Sequence, residues 1–243
     1  MNDRAAHAPC LLAMDTASGT LHLGLLHDDV VRSRALPGGA LASTQLLPAL
    51  QALLAEAGLG WRALDAIAFG RGPGAFTGVR TACAVAQGLA FGAGKPVIAI
   101  DTLAAIAEAA HQGGAGSELW VAIDARMGEA YAARYRRLGP GSWLEVEAPA
   151  LHAPAALAAR IAGASAETGA LQVAGSSLLA HAAAWSALDR VRWPHAVAHG
   201  AALLALARGA WSRGLGLDAA EALPLYVRDK VAQTAAERAA AAA

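Results

Sequence analysis

The sequence predicts an α/β fold in two lobes of related topology, and three observations carry that prediction. Short apolar strands alternate with helical stripes across short turns, which is the grammar of parallel strand pairing. The layout also restarts once. LLAMDTASGTLHLGLL near the N-terminus and WVAIDARMGEAYAARY from Trp120 onward are each an apolar strand, an aspartate, a polar turn with glycine and an alternating strand. Finally, the loop-like GGAGS, Gly113 to Ser117, stands between the two copies. Each lobe is expected to follow a βββαβα order, over 1–112 and 113–230, ahead of an Ala-rich tail, 231–243, with little to bury and little order.

The elements follow in turn. Cys10 to Met14 is apolar and ends at Asp15. Leu21 to Leu26 and Val30 to Leu36 alternate around Asp28-Asp29, a hairpin signal, so the chain opens with an antiparallel meander. Leu46, Leu47, Leu50, Leu53, Leu54 and Ala57 then form one stripe of a helix from about Ser43. Ser43 or Thr44 could cap it, Pro48 falls near its first turn, and Gly58 could stop it. Next come a strand over Ala66 to Phe69, a glycine-rich turn, a helix from about Ala75 to Gly92, a strand over Pro96 to Ile100 and a helix from Thr102 to Ala110. In the second half, Leu119 to Ile123, Glu129 to Leu138 and Trp143 to Val146 are strands. Helix (about Pro154 to Ala162), strand (Leu171 to Ala174), helix (Ser176 to Trp185) and a last helix near Val197 to Ser212 complete it, before the segment Leu223 to Val231.

Composition narrows the function classes. Of 243 residues, 56% are hydrophobic and 16% charged, with a mean hydropathy of +0.39, which excludes a disordered chain. Alanine exceeds a quarter of the residues while aromatics are 5%, favouring closely packed helices over an aromatic-rich binding surface. Lysine plus arginine equals aspartate plus glutamate at 19 each. A protein that grips nucleic acid alone needs a basic excess, so any contact with RNA is expected to run through a partner. The apolar run Thr81 to Gly94 ends at Lys95, short of the ~20 residues that cross a bilayer. MNDRAAHAPC has no signal-peptide core, and Cys10 and Cys83 make no disulfide framework. The expectation is a cytoplasmic protein without a membrane role.

GRGPGAFTGVR, Gly70 to Arg80, is the strongest local motif. It joins a strand to a helix, where glycines expose backbone N–H groups and a helix N-terminus favours anions. Val79 follows Gly78 where a P-loop has lysine, and the dinucleotide fingerprint also fails, so a structural turn competes equally with an anion site. Asp15-Thr16 and Asp124 end the matching strands of the two halves and would face each other across a cleft. Each could hold hydrated Mg²⁺ or simply stabilise its own turn. His195 and His199 have helical i, i+4 spacing, but Ala196 stands where a zincin has glutamate and no third ligand is evident. There is no G-x-S-x-G elbow, and Cys83 reads as a small buried hydrophobe. Gly78, Ala82, Ala86 and Ala90 put small residues every fourth position along the second helix, which admits another backbone.

DAIAFGRGPGAFTGVRTACAVAQGLAFGAGKPVIAIDTLAAIA, with AMDTASGTLHLGLL, AIDARMGEAYAARY and PLYVRDKVA, resembles the TsaB (YeaZ) family over nearly the whole chain, Leu151 to Ala196 excepted. The resemblance implies the actin/Hsp70/sugar-kinase (ASKHA) fold. It also implies a role in forming N6-threonylcarbamoyladenosine in tRNA, as a non-catalytic partner of the paralogue TsaD, with the ATPase TsaE in the larger assembly. Where TsaD-like sequences carry a His-x-x-x-His metal pair, this chain has Thr102 and Ile106, and Ala42 replaces a histidine frequent in the family. The implied nucleotide cleft would be vestigial, formed by Asp15, Thr16, Gly72, Gly74 and Asp124. No cofactor is expected in the isolated chain, and ATP or ADP only at the complex interface. The expected docking surface is Leu46, Leu50, Leu53, Thr77, Ala82, Ala86 and Ala90, used for TsaD or for a homodimer in its absence. Two other readings stay open: an ASKHA-type phosphotransferase using Asp15 and Asp124, and a degenerate metallopeptidase-like protein.

Overall fold

Strands β1 (Leu11–Asp15), β2 (Thr20–His27) and β3 (Val30–Pro37) form the meander, and Asp28 and Asp29 turn it with φ of +50° and +57°. Two consecutive positive-φ residues suit the right-handed twist of a hairpin. The computed structural model describes residues 8–168, 172–186, 188 and 192–228. The tail expected over 231–243 and the first residue of the strand expected at Leu171 lie outside the described residues. Helix α1 (Ala42–Glu56), β4 (Ala66–Gly70), α2 (Phe76–Ala93), β5 (Val97–Ile100) and α3 (Thr102–Gln112) complete the first half. The second half runs β6 (Glu118–Arg126), β7 (Glu129–Gly139), β8 (Ser142–His152), α4 (Pro154–Thr168), β9 (Gln172–Ala174), α5 (Ser177–Ala180), α6 (Ala182–Trp185), β10 (Arg192–Trp193) and α7 (Gly200–Ser212).

The sheets have orders β3-β2-β1-β4-β5 and β8-β7-β6-β9-β10, so one topology is used twice. Each half carries one strand–helix unit beyond the βββαβα order, and in the first half that unit is the strand and helix expected over Pro96 to Ile100 and Thr102 to Ala110. In the second half that unit begins with β10, only two residues long and too short to leave a periodicity. Other local departures are similar in kind. Pro48 sits inside α1, the side chains of Ser43 and Thr44 do not cap it, and the helix expected over Ser176 to Trp185 breaks at His181.

Strand alternation sorts side chains into two cores on each sheet. On the first sheet Leu12, Met14, Ile67 and Phe69 face α1 and α2, whereas Leu11, Ala13, Ala66 and Ala68 face a central layer. On the second sheet Leu119, Val121, Ala133 and Tyr135 face that same layer, whereas Trp120, Ala122 and Ala132 face the buried residues of α4 and α5 and Trp185 of α6. The central layer is α3 and α7, and they exchange lobes. Helix α7, from the second half, lies on the first sheet, and α3, from the first half, lies on the second. The boundary expected at residue 112 is therefore not a packing boundary. Small residues make the crossing possible: a Cβ on Gly24 would stand 2.7 Å from the Gly200 carbonyl oxygen, and one on Gly200 would stand 1.9 Å from that of Leu23.

Candidate functional site

The ends of β1 and β6 bring Asp15 and Asp124, one from each half, to the walls of a single cavity of about 690 Å³. Asp15 is 1% exposed. Its Oδ1 accepts from the Ala17 amide at 2.7 Å and its Oδ2 from the Thr102 hydroxyl at 2.7 Å. Burial pushes its carboxyl above the usual range, against these two hydrogen bonds. Thr102 in turn accepts from the Gly72 amide at 3.2 Å. Asp124 keeps more solvent. Its Oδ1 accepts from the Arg126 amide at 2.9 Å, a turn-stabilising bond, and its own amide donates to Ser176 Oγ at 3.1 Å. His181 Nε2 stands 3.3 Å from Asp124 Oδ1.

The glycine motif packs rather than cradles. A Cβ on Gly70 would stand 1.8 Å from Asp15 Oδ2, one on Gly74 would stand 2.5 Å from the Ala17 carbonyl oxygen, and one on Gly78 would stand 1.9 Å from that of Thr16. The Ala75 amide donates to the Ala17 carbonyl at 2.8 Å, and the Thr16 hydroxyl donates to the Gly78 carbonyl at 2.5 Å. The β1–β2 loop thus lies against the first turn of α2, the place where an anion would approach. Gly74 lines the cavity, while Gly72 lies beneath the Leu225 carbonyl. Arg71 is ion-paired with Asp101, the residue before α3.

Sequence reasoning missed two parts of the cavity wall. His22 is the cross-strand partner of Asp15, is 5% exposed, and has neither ring nitrogen hydrogen-bonded. Burial, with the neighbouring His199, lowers it to about 4. Its signal was a polar residue on the inward phase of an otherwise apolar strand. The other part is Leu225 to Arg228, within the PLYVRDKVA motif, which lines the cavity.

Six of the expected docking residues are not at the surface. Leu46, Leu50, Ala82 and Ala86 are 0% exposed and Leu53 and Ala90 are 1% exposed, packed with β1, β2 and β4 in the outer core of the first sheet. The stripe read as a partner surface is the stripe that holds each helix to its own sheet; Thr77 alone of the set is exposed. The solvent stripe of α2 is instead Thr77, Arg80, Ala84, Gly88 and Phe91, with Phe91 86% exposed, and Leu47 is exposed on α1. His195 and His199 form no metal pair: His199 Nδ1 caps α7 by accepting from the Ala202 amide at 3.2 Å. Among the described residues no three His, Cys, Asp or Glu side chains gather as a metal site, and no helix is long and apolar enough to cross a membrane.

A family model described as TsaD, tRNA N6-adenosine threonylcarbamoyltransferase, matches residues 41–185. YeaZ from Pseudomonas aeruginosa superposes with a TM-score of 0.81 at 36% identity, over 90% of this chain and 100% of that one. The chain belongs to the TsaB (YeaZ) family. It is 38% identical over 144 residues to the tRNA threonylcarbamoyladenosine biosynthesis protein TsaB of Escherichia coli, covering 59% of this chain and 62% of that protein. The TsaB of Haemophilus influenzae is 45% identical over 125 residues, covering 50% of this chain and 51% of that protein. The aligned region thus spans between half and two thirds of these TsaB relatives. The two sheets repeat one strand order, the duplicated layout expected from the sequence. At the positions of the TsaD-like histidine pair, Thr102 has its hydroxyl engaged by Asp15 and Gly72, and Ile106 is an apolar part of the cavity wall.

Proposed function

We propose that this TsaB-family chain is a non-catalytic subunit of the tRNA threonylcarbamoyl transferase system, one that binds TsaD and supports its action. The single observation that carries the reading is the solvent stripe of α2. It offers small residues at Ala84 and Gly88, room for another backbone, and ends in the almost fully exposed ring of Phe91. Leu47 on α1 extends the same apolar character. An exposed stripe of this kind seeks cover, from TsaD in the complex and from a second copy in isolation. Coupling of about 1–3 kcal/mol between docking and the arrangement of TsaD would be enough to activate it.

The cleft supports a supporting role over a chemical one. The groups that would meet a phosphate are engaged with one another: Asp15 with Ala17 and Thr102, and the β1–β2 loop with α2. The isolated chain therefore works without a bound nucleotide, and ATP or ADP enters at the complex interface, where TsaE also joins. With equal numbers of acidic and basic residues, the chain meets tRNA through its partners in the cytoplasm.

The test is reconstitution. Purified chain, TsaD and TsaE are combined with tRNA, ATP and a preformed activated threonylcarbamoyl donor, and modified adenosine is measured. Modification should need TsaD and fall when this chain is left out, and Gly88→Arg should weaken association with TsaD in calorimetry. Modification by this chain alone would defeat the proposal.

A further inference from the structure

The segment from Ala222 to Arg228 has no regular secondary structure, yet Ala222, Leu225, Tyr226 and Arg228 are each tied down by hydrogen bonds. Its first anchors are on α2. The Ala222 carbonyl accepts from Gln87 Nε2 at 2.9 Å and from the Cys83 thiol at 3.3 Å. The Leu225 amide then donates to the Arg71 carbonyl at 2.7 Å, in the glycine motif. Tyr226 Oη accepts from Arg80 Nε at 2.8 Å, and the Arg80 guanidinium lies 3.9 Å from the centre of the Phe76 ring, itself 5.6 Å from the Tyr226 ring. All of these partners belong to the first half of the chain.

Arg228 reaches the other half. Its guanidinium donates to the Ala125 carbonyl at 3.1 Å, lies 2.7 Å from Glu129 Oε2, and meets the Met127 sulfur at 3.3 Å. Its side chain is 15% exposed, so this ion pair is partly desolvated and screened less than a surface pair. The three contacts run from the end of β6 through the β6–β7 turn to the first residue of β7, and across that turn Arg126, Met127 and Gly128 have φ of +65°, +54° and +75°. Between its two anchors the segment forms part of the cavity wall.

We propose that Ala222 to Arg228 is an inter-lobe clasp. It fastens α2 to the β6–β7 turn across one wall of the cavity, so that release of Arg228 opens the cavity on the side of Asp124. Physically, the clasp is a short linkage with fixed points at Ala222, Leu225 and Tyr226 on one lobe and one anchoring side chain on the other, so it separates at Arg228 first.

The experiment places spin labels on Ser18→Cys and Leu179→Cys, two exposed positions on opposite sides of the cavity, with Cys10 and Cys83 buried and unreactive. Distances between labels are compared with and without Arg228→Ala, and amide hydrogen exchange is followed over 125–129. The clasp predicts a longer and broader distance distribution and exchange faster by about tenfold, equivalent to about 1.4 kcal/mol. Glu129→Gln, at a half-exposed side chain, removes the same ion pair without a packing change and should give the same shift in smaller measure. The double variant Arg228→Glu with Glu129→Arg should recover part of the original distance. If Arg228→Ala and Glu129→Gln both leave the distance distribution and exchange as they were, the clasp is refuted.

Discussion

Two glycines of α2 make opposite predictions for the same substitution. Glycine inside a helix gives up about 0.5–1 kcal/mol relative to alanine, because the unfolded chain has more freedom to lose. At Gly88 a new methyl group would meet nothing within 4 Å, so Gly88→Ala should stabilise the protein by about that amount. At Gly78 the same methyl would stand 1.9 Å from the Thr16 carbonyl oxygen and 2.9 Å from its carbon. Backbone must move to admit it, and overpacking of this kind costs about 1–3 kcal/mol. Moving Thr16 also breaks its buried hydroxyl bond to the Gly78 carbonyl, worth about 1 kcal/mol. Subtracting the helix gain leaves a net loss of about 2 kcal/mol, which at this chain length lowers Tm by roughly 4–8 °C. Urea denaturation measures both variants, and the midpoints should move in opposite directions at unchanged slope. If Gly78→Ala stabilises as Gly88→Ala does, the β1–β2 loop does not lie against α2, and the glycine motif is open to a phosphate after all.

Other perturbations test the cleft and the helix faces. His22 titrates near 4 in the folded chain against an ordinary 6.5, so the unfolded state takes up the proton first as pH falls. Its contribution is complete above pH 6.5 and is lost down to about pH 4, a swing of about 3 kcal/mol that His22→Leu should remove from the pH profile of urea stability. Asp15 has the opposite sign: its raised pKa means that ionisation opposes folding. Asp15→Asn should therefore gain on the wild type as pH rises through and above the carboxylate range, and a constant difference across pH would refute that. Ala86→Arg puts a charge into the outer core and should abolish folding by circular dichroism, whereas Ala84→Arg, on the solvent stripe, should leave the spectrum intact and weaken TsaD association.

Strand phase was legible in the sequence because burial on two faces leaves a mark on each position. The duplicated Asp15 and Asp124 were legible for the same reason, since each ends an apolar strand at a polar turn. What was not legible was the direction in which a helix faces its partners. Leu46, Leu50 and Leu53 are as suited to a partner as to a sheet, and the periodicity that marks a stripe does not say what covers it. The small residues Ala82, Ala86 and Ala90 are equally ambiguous. Only the neighbouring strands, with Leu12, Met14 and Phe69 pointing at them, decide it. His22 and Leu225 to Arg228 were missed because they join the site through long-range pairing and through an irregular segment, neither of which has a period.

The exchange of α3 and α7 makes a last prediction about independence. A sequence that repeats its layout after Gly113 invites the view of two folding units, yet α7 supplies the inner cover of the first sheet. Its Leu203, Leu204 and Leu206 are 0%, 2% and 7% exposed, and Ala202 and Ala207 are fully buried beside them. Burial of each leucine is worth about 1.5–3 kcal/mol, so their loss alone approaches the 5–15 kcal/mol that holds a typical domain together. A fragment of residues 1–112 would also carry α3 with its second-sheet face bare. It should therefore lack a cooperative unfolding transition, while the full chain should melt in one step, since each sheet is covered by a helix from the other half. Adding a peptide of residues 197–213 would restore the cover on one sheet only, leaving α3 without its own. A folded, cooperative 1–112 fragment would show that the first sheet is stable without α7, and the coupling of the halves would then rest on the clasp rather than on the shared central layer.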